Sequence, residues 1–136
     1  DLCPGHHADN YALSTPFEGN RLTHDPQMYQ VWRDQAAAVP ELQTGGSSLG
    51  WLFEALGECR QLGKVQWPDV PSIGFFGAQD AVVDIKAAQK RMKTWARADL
   101  EVLEGTKHEL FLEGPKVREY VLGKIDDHFL AFASTA

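Results

Sequence analysis

The stretch from Ser72 to Leu103 constrains the architecture of this chain more tightly than any other. Ser72-Ile73-Gly74-Phe75-Phe76 is a short apolar run bounded by Pro71 and Gly77, and Ala98-Asp99-Leu100-Glu101-Val102-Leu103 is a second. Both read as β-strands. Between them Asp84 sits as an N-cap, and Ile85, Ala88, Met92 and Trp95 recur at helical spacing, giving the single buried stripe of a crossover helix. A strand, a helix and a strand in so short a span make the strands parallel, and right-handed crossovers bring their carboxyl ends to one sheet edge. Each strand then runs into a loop with one ionisable residue. The first loop is Gly77-Ala78-Gln79-Asp80, and the second is Gly105-Thr106-Lys107-His108.

An acid followed by a histidine, each at a strand's carboxyl end, is the order of the last two members of a Ser…Asp…His triad. Aspartate in that place accepts a hydrogen bond from imidazole Nδ1–H, fixes the tautomer, and stabilises the imidazolium formed when Nε2 takes a nucleophile's proton. Each residue also has a plainer role. Asp80 fits a turn in which its side chain bonds its own backbone, and His108 fits an ordinary loop histidine. Asp84 is a second candidate acid, but the following helix needs it as a cap. The joint pattern favours Asp80 with His108.

The flanks read as helical. Residues 1–24 contain Pro4, Gly5, Pro16 and Gly19 without a sustained apolar period and form an irregular lead-in. Asp25 and Pro26 then start a helix, with Met28, Val31, Trp32, Gln35 and Ala38 on one face up to Pro40. A further helix starts after Ser47 or Ser48 and runs to about Leu62, where Gly63 stops it. It carries two stripes, one of Leu49, Leu52, Leu56 and Cys59 and one of Trp51, Ala55 and Leu62. Such a helix is expected either between two protein layers or beside a ligand space. The last helix begins at Gly114-Pro115, and Val117, Val121, Ile125 and Phe129, widened by Tyr120 and Leu130, form the face that covers the sheet.

Composition narrows the function classes. With 136 residues and 43% hydrophobic content the chain has material for a real core. A net charge of −6, with no basic cluster beyond Lys90-Arg91-Met92-Lys93, disfavours nucleic-acid binding. Cys3 and Cys59 match no metal or redox spacing and read as reduced thiols, in keeping with a cytoplasmic protein. No apolar run reaches membrane-span length, and Asp1-Leu2-Cys3-Pro4-Gly5 does not resemble a signal peptide. A start without Met suggests the later part of a longer polypeptide.

The two loops also carry a resemblance. Gly77 to Asp84 resembles the acid loop, and Leu103 to Glu113 the histidine loop, of α/β-hydrolase fold serine hydrolases of the lysophospholipase and monoacylglycerol lipase type. Pro16 to Pro26, and Thr44-Gly45-Gly46 followed by Trp51, resemble the cap segment of bacterial lysophospholipases. The resemblance implies an α/β fold present in part, with a helical cap segment over residues 1–66 and, over 67–136, a β-α-β-α C-terminal portion of a parallel sheet. It implies a lipid or small carboxylic ester as substrate, cleaved through an acyl-enzyme with Asp80 as triad acid and His108 as general base. No cofactor and no metal are implied. Cytoplasmic localisation with peripheral contact at the inner membrane face is expected.

The family's nucleophile elbow has no sound counterpart in the chain. Gly46-Ser47-Ser48-Leu49-Gly50 fits the pattern G-x-S-x-G, with Ser48 in the nucleophile place. The elbow must follow a buried strand, and Val39 to Thr44 contains a proline and no apolar run. Ser48 is better read as an N-cap, so the nucleophile and oxyanion hole are expected in a missing N-terminal half, and the chain is expected to be inactive alone. The alternative is a non-catalytic α/β binding module that retains the loops. His6, His7, Asp9, His24 and Asp25 have ligand-type side chains but no metal spacing, and read as a solvated loop. Tyr29, Trp32, Trp51 and Phe53 fit either core or an acyl-chain pocket.

Overall fold

The computed structural model describes residues 1–3 and 9–133, which fall into two compact units, Asp1–Asn20 with Tyr29–Gln66 and Arg21–Met28 with Trp67–Ala136. His6 and His7 lie outside the described residues. The first unit is helical. Its lead-in is more regular than the sequence suggests, with a short helix α1 at Tyr11–Ser14 and a 3₁₀ turn at Phe17–Gly19. Asn10 nucleates α1, its side chain accepting from the Leu13 amide at 3.2 Å. Asn as a cap is a one-residue signal, easily missed without an apolar period behind it.

Helix α2, Pro26–Ala38, has the start foreseen, with Asp25 Oδ1 accepting from the amides of Gln27 and Met28 at 2.9 and 3.0 Å. Its inner face differs from the expected one. Tyr29 and Ala36 are buried and Trp32 and Arg33 half-buried, whereas Val31, Gln35 and Ala38 are exposed. Polar capacity explains the shift. Tyr29 Oη donates to Thr15 O at 3.1 Å, and the Arg33 guanidinium to the carbonyls of Thr15 and Leu13, so these long side chains enter the core with their polar ends satisfied. Phe17 meets Tyr29 edge-on at 5.6 Å, and Trp32 packs on Tyr29 at 5.5 Å.

Helix α3, Leu49–Leu62, begins at Ser48, whose Oγ accepts from the Trp51 amide at 3.1 Å. The elbow-like string is thus a helix start. Neither expected stripe of α3 is buried; Leu49, Leu52 and Ala55 are half-covered, and Trp51, Phe53, Leu56 and Leu62 face outward.

The second unit contains β1 (Ser72–Gly77), α4 (Ile85–Met92), β2 (Ala98–Leu103) and α5 (Pro115–Ala133). The strands pair in parallel, from Ser72 opposite Ala98 to Gly77 opposite Leu103. Asp84 caps α4 through the Ala87 amide at 3.0 Å. Trp95 lies beyond the end of α4 rather than on its stripe, stacked on Trp67 at 4.4 Å, and its indole N–H donates to Pro68 O at 3.1 Å. This aromatic clasp fastens the segment leading into β1. Helix α5 has Val121 fully buried and is tied to the sheet through Glu101 of β2, whose carboxylate takes the Tyr120 hydroxyl at 2.7 Å and Lys124 Nζ at 2.9 Å. Phe129 and Leu130 at its far end are exposed instead of covering the sheet.

Candidate functional site

Equal lengths and aligned register bring β1 and β2 to a common end at Gly77 and Leu103, so the acid and histidine loops leave the sheet side by side. Backbone bonds stitch the loops. The Ala78 amide donates to Leu103 O and the Gln79 amide to Thr106 O, each at 2.9 Å. Two glycines permit this. A Cβ on Gly77 would lie 2.6 Å from Thr106 O and overlap the Lys107 carbonyl outright, so only glycine admits the histidine loop there. Gly105 has φ +70°, the left-handed conformation that turns the chain out of β2. Thr106, fully buried, locks the turn by donating its hydroxyl to Leu103 O at 2.8 Å.

Asp80 and His108 meet at the mouth of these loops. The Nδ1–H of His108 donates to Asp80 Oδ2 at 2.7 Å. The other carboxylate oxygen, Oδ1, accepts from the amides of Val82 and Val83 at 2.7 and 3.1 Å. The turn role and the imidazole role of Asp80 are therefore filled together, one oxygen each. The Asp80 side chain is 2% exposed and the His108 side chain 32% exposed, an anchored acid behind an accessible ring. Burial pushes the Asp80 carboxyl upward, but the bond from His108 and the two backbone amides outweigh it and hold the group below the ordinary aspartate range. With Nδ1 committed to a carboxylate, Nε2 is the nitrogen left to exchange a proton with a reacting group.

The remaining candidates are placed elsewhere. Asp84 is a helix cap and does not compete with Asp80. Asp25 caps α2, and His24 Nδ1 lies 3.2 Å from Glu113 Oε1. Among the described residues no three His, Cys, Asp or Glu side chains group to hold a metal. Tyr29 and Trp32 belong to the core of the first unit, whereas Trp51 and Phe53 are exposed on α3. A cavity of about 220 Å³ lined by Tyr11, Trp32 and Leu42 among others lies within the first unit. Among the described residues no helix is long and apolar enough to cross a membrane.

Sequence reasoning missed the support of the histidine loop. Glu113, 3% exposed, accepts the Lys107 amide at 2.8 Å and the His24 amide at 3.1 Å, and the Glu109 amide donates to Leu22 O at 2.8 Å. The available signal was an acidic residue directly after an apolar turn, Leu110-Phe111-Leu112, where a charge is costly unless its partners are built in.

No family model matches the chain, and no curated protein matches it. Among solved structures the chain is similar to a soluble variant of monoglyceride lipase from Saccharomyces cerevisiae, in complex with a substrate analog. That likeness has a TM-score of 0.58 at 22% identity and covers 84% of this chain and 43% of the lipase chain. The chain thus spans under half the length of that lipase, and at this identity the likeness is one of fold. The protein is a mixed structure of helices and a two-stranded parallel sheet whose fold resembles part of an α/β-hydrolase.

Proposed function

We propose that this chain is the cap and carboxyl-terminal portion of a serine hydrolase acting on a carboxylic ester, of the lysophospholipase or monoacylglycerol lipase kind. One observation carries the reading: the 2.7 Å bond from His108 Nδ1 to Asp80 Oδ2, made at the carboxyl ends of two parallel strands, with Asp80 fixed from behind by two amides. The likeness to a monoglyceride lipase bound to a substrate analog supports the substrate class. Residues 1–66 are assigned to the cap segment and 67–136 to the core.

In this reading a serine from polypeptide outside these residues attacks the ester carbonyl. His108 Nε2 takes the serine proton, Asp80 holds the ring in the Nδ1–H tautomer and balances the imidazolium, and the proton then passes to the leaving alcohol. Water deacylates the enzyme by the same path in reverse. Ser48 takes no part, since its hydroxyl is engaged at the start of α3. A substrate that partitions into lipid, together with two unpaired cysteines, favours a cytoplasmic protein with peripheral contact at the inner membrane face.

A fluorophosphonate probe tests the proposal on this chain and on the full-length parent. Labelling of the parent, its loss in a His108→Ala parent, and no labelling of the chain alone are expected. Labelling of this chain at Ser48 would replace the reading with a different nucleophile, and an unreactive parent would leave a binding module that retains the loops.

A further inference from the structure

We infer that Glu113 is the positioning residue of the histidine loop, its buried carboxylate fixing the backbone next to His108 and thereby setting the imidazole against Asp80. The inference rests on the reading of Asp80 and His108 as acid and base, and deepens it.

A carboxylate that is 3% exposed is tolerated only when donors surround it. Glu113 Oε1 accepts from the Lys107 amide at 2.8 Å and lies 3.2 Å from His24 Nδ1. Its Oε2 accepts from the His24 amide at 3.1 Å and lies 3.3 Å from Thr23 Oγ1, whose own proton goes to the nearer Leu112 O at 2.7 Å. The Lys107 amide is half of a peptide unit whose other half, Thr106 O, accepts from the Gln79 amide of the acid loop at 2.9 Å. One peptide plane is therefore pinned between the acid loop and Glu113.

On the other side of His108 the Glu109 amide is held by Leu22 O at 2.8 Å. With the 106–107 peptide held on one side of His108 and the 108–109 peptide on the other, the ring has little freedom to leave Asp80. The Lys107 bond is the charge-assisted member of this set, and such bonds are roughly twice as strong as neutral ones. Loss of the carboxylate therefore acts first on the loop that carries the histidine.

The test is hydrogen exchange by NMR on isotope-labelled chain, reading the His108 Nδ1–H proton and the Lys107 amide. In Glu113→Gln one oxygen becomes an NH₂, which cannot accept from both the Lys107 and His24 amides. Exchange of the His108 ring proton about tenfold faster than in the wild type is expected, with the Trp67 and Trp95 indole signals unmoved. A folded E113Q chain with unchanged ring-proton exchange overturns the inference.

Should E113Q not fold, Glu113→Asp, which keeps the charge but withdraws it by one methylene, gives the answer. The Lys107 amide and the His108 ring proton are then expected to loosen together, and loosening of one without the other overturns the inference. Neither readout needs turnover, so the outcome is separate from that of the probe experiment on the parent.

Discussion

A carboxylate has two oxygens, and Asp80 divides them between two tasks. Oδ1 belongs to the turn and Oδ2 to the histidine, so a substitution that keeps one oxygen keeps the turn while changing the pair. Asp80→Asn does this: its amide oxygen can still serve Val82 and Val83, but its NH₂ then faces Nδ1 and imposes the other tautomer. If the longer protein is the ester hydrolase proposed above, its kcat is expected to fall about 10⁴-fold with the fold intact, measured by ester hydrolysis. Asp80 has its pKa depressed in the folded state, so its stabilising contribution is present above the unfolded aspartate value, about 3.9, and is lost as pH falls through the lower folded value. The stability gap between wild type and D80N in urea should be steady near pH 5 and shrink progressively below about pH 4. A gap that persists unchanged to about pH 2.5 would contradict the assignment. Gly77 is the second residue-scale constraint. Because the atoms a Cβ would strike are backbone carbonyls of Thr106 and Lys107, the clash cannot be relieved by a rotamer change. Gly77→Ala should cost about 2–3 kcal/mol in urea unfolding and weaken the His108–Asp80 bond together with the fold.

At the scale of elements, the sequence was most legible where a local signal needs no partner. Asp25, Ser48 and Asp84 announce helix starts through their own side chains, and each is found capping as read. Parallel pairing of β1 and β2 was legible because chain length leaves no other connection, and the meeting of Asp80 with His108 followed from it. Helix faces were less legible. A helical period states which residues share a side, but the choice among neighbouring sides in α2 was decided by where Tyr29 and Arg33 could satisfy their polar ends, a property of distant carbonyls. Glu113 was missed for the same reason, since its donors come from the far-off Thr23-His24 segment as well as from its own loop. Helix α5 allows a clean test of intrinsic preference. Gly123 lies on its exposed side with open space where a Cβ would stand, so Gly123→Ala should stabilise the protein by about 0.5–1 kcal/mol in urea or thermal unfolding. Destabilisation would mean that this side of α5 is covered.

At the scale of the whole molecule the sheet is the weakest element and the exposed apolar side chains the most telling. A two-stranded parallel sheet leaves one edge of each strand unpaired, and in β1 and β2 every residue but Gly77 retains some exposure. Parallel sheets are ordinarily covered on both faces, so this one buries less than its type usually does. Large apolar side chains remain outside as well, Phe129 at 65% and Leu130 at 69% exposure on the last turns of α5. Fully burying a Phe or Leu side chain is worth about 1.5–3 kcal/mol, so two such residues acting together can drive association at the concentrations of a biophysical experiment. The chain by itself is therefore expected to self-associate at about 100 μM in sedimentation velocity, and the double variant F129S/L130S to shift it to monomer. That variant lies on the far part of α5, away from the Pro115 end that follows Glu113, so the His108–Asp80 resonance should be unchanged in it. Self-association that persists undiminished in the double variant would assign the contact to other apolar surface, foremost the outward residues of α3, Trp51 and Phe53, which are comparably exposed.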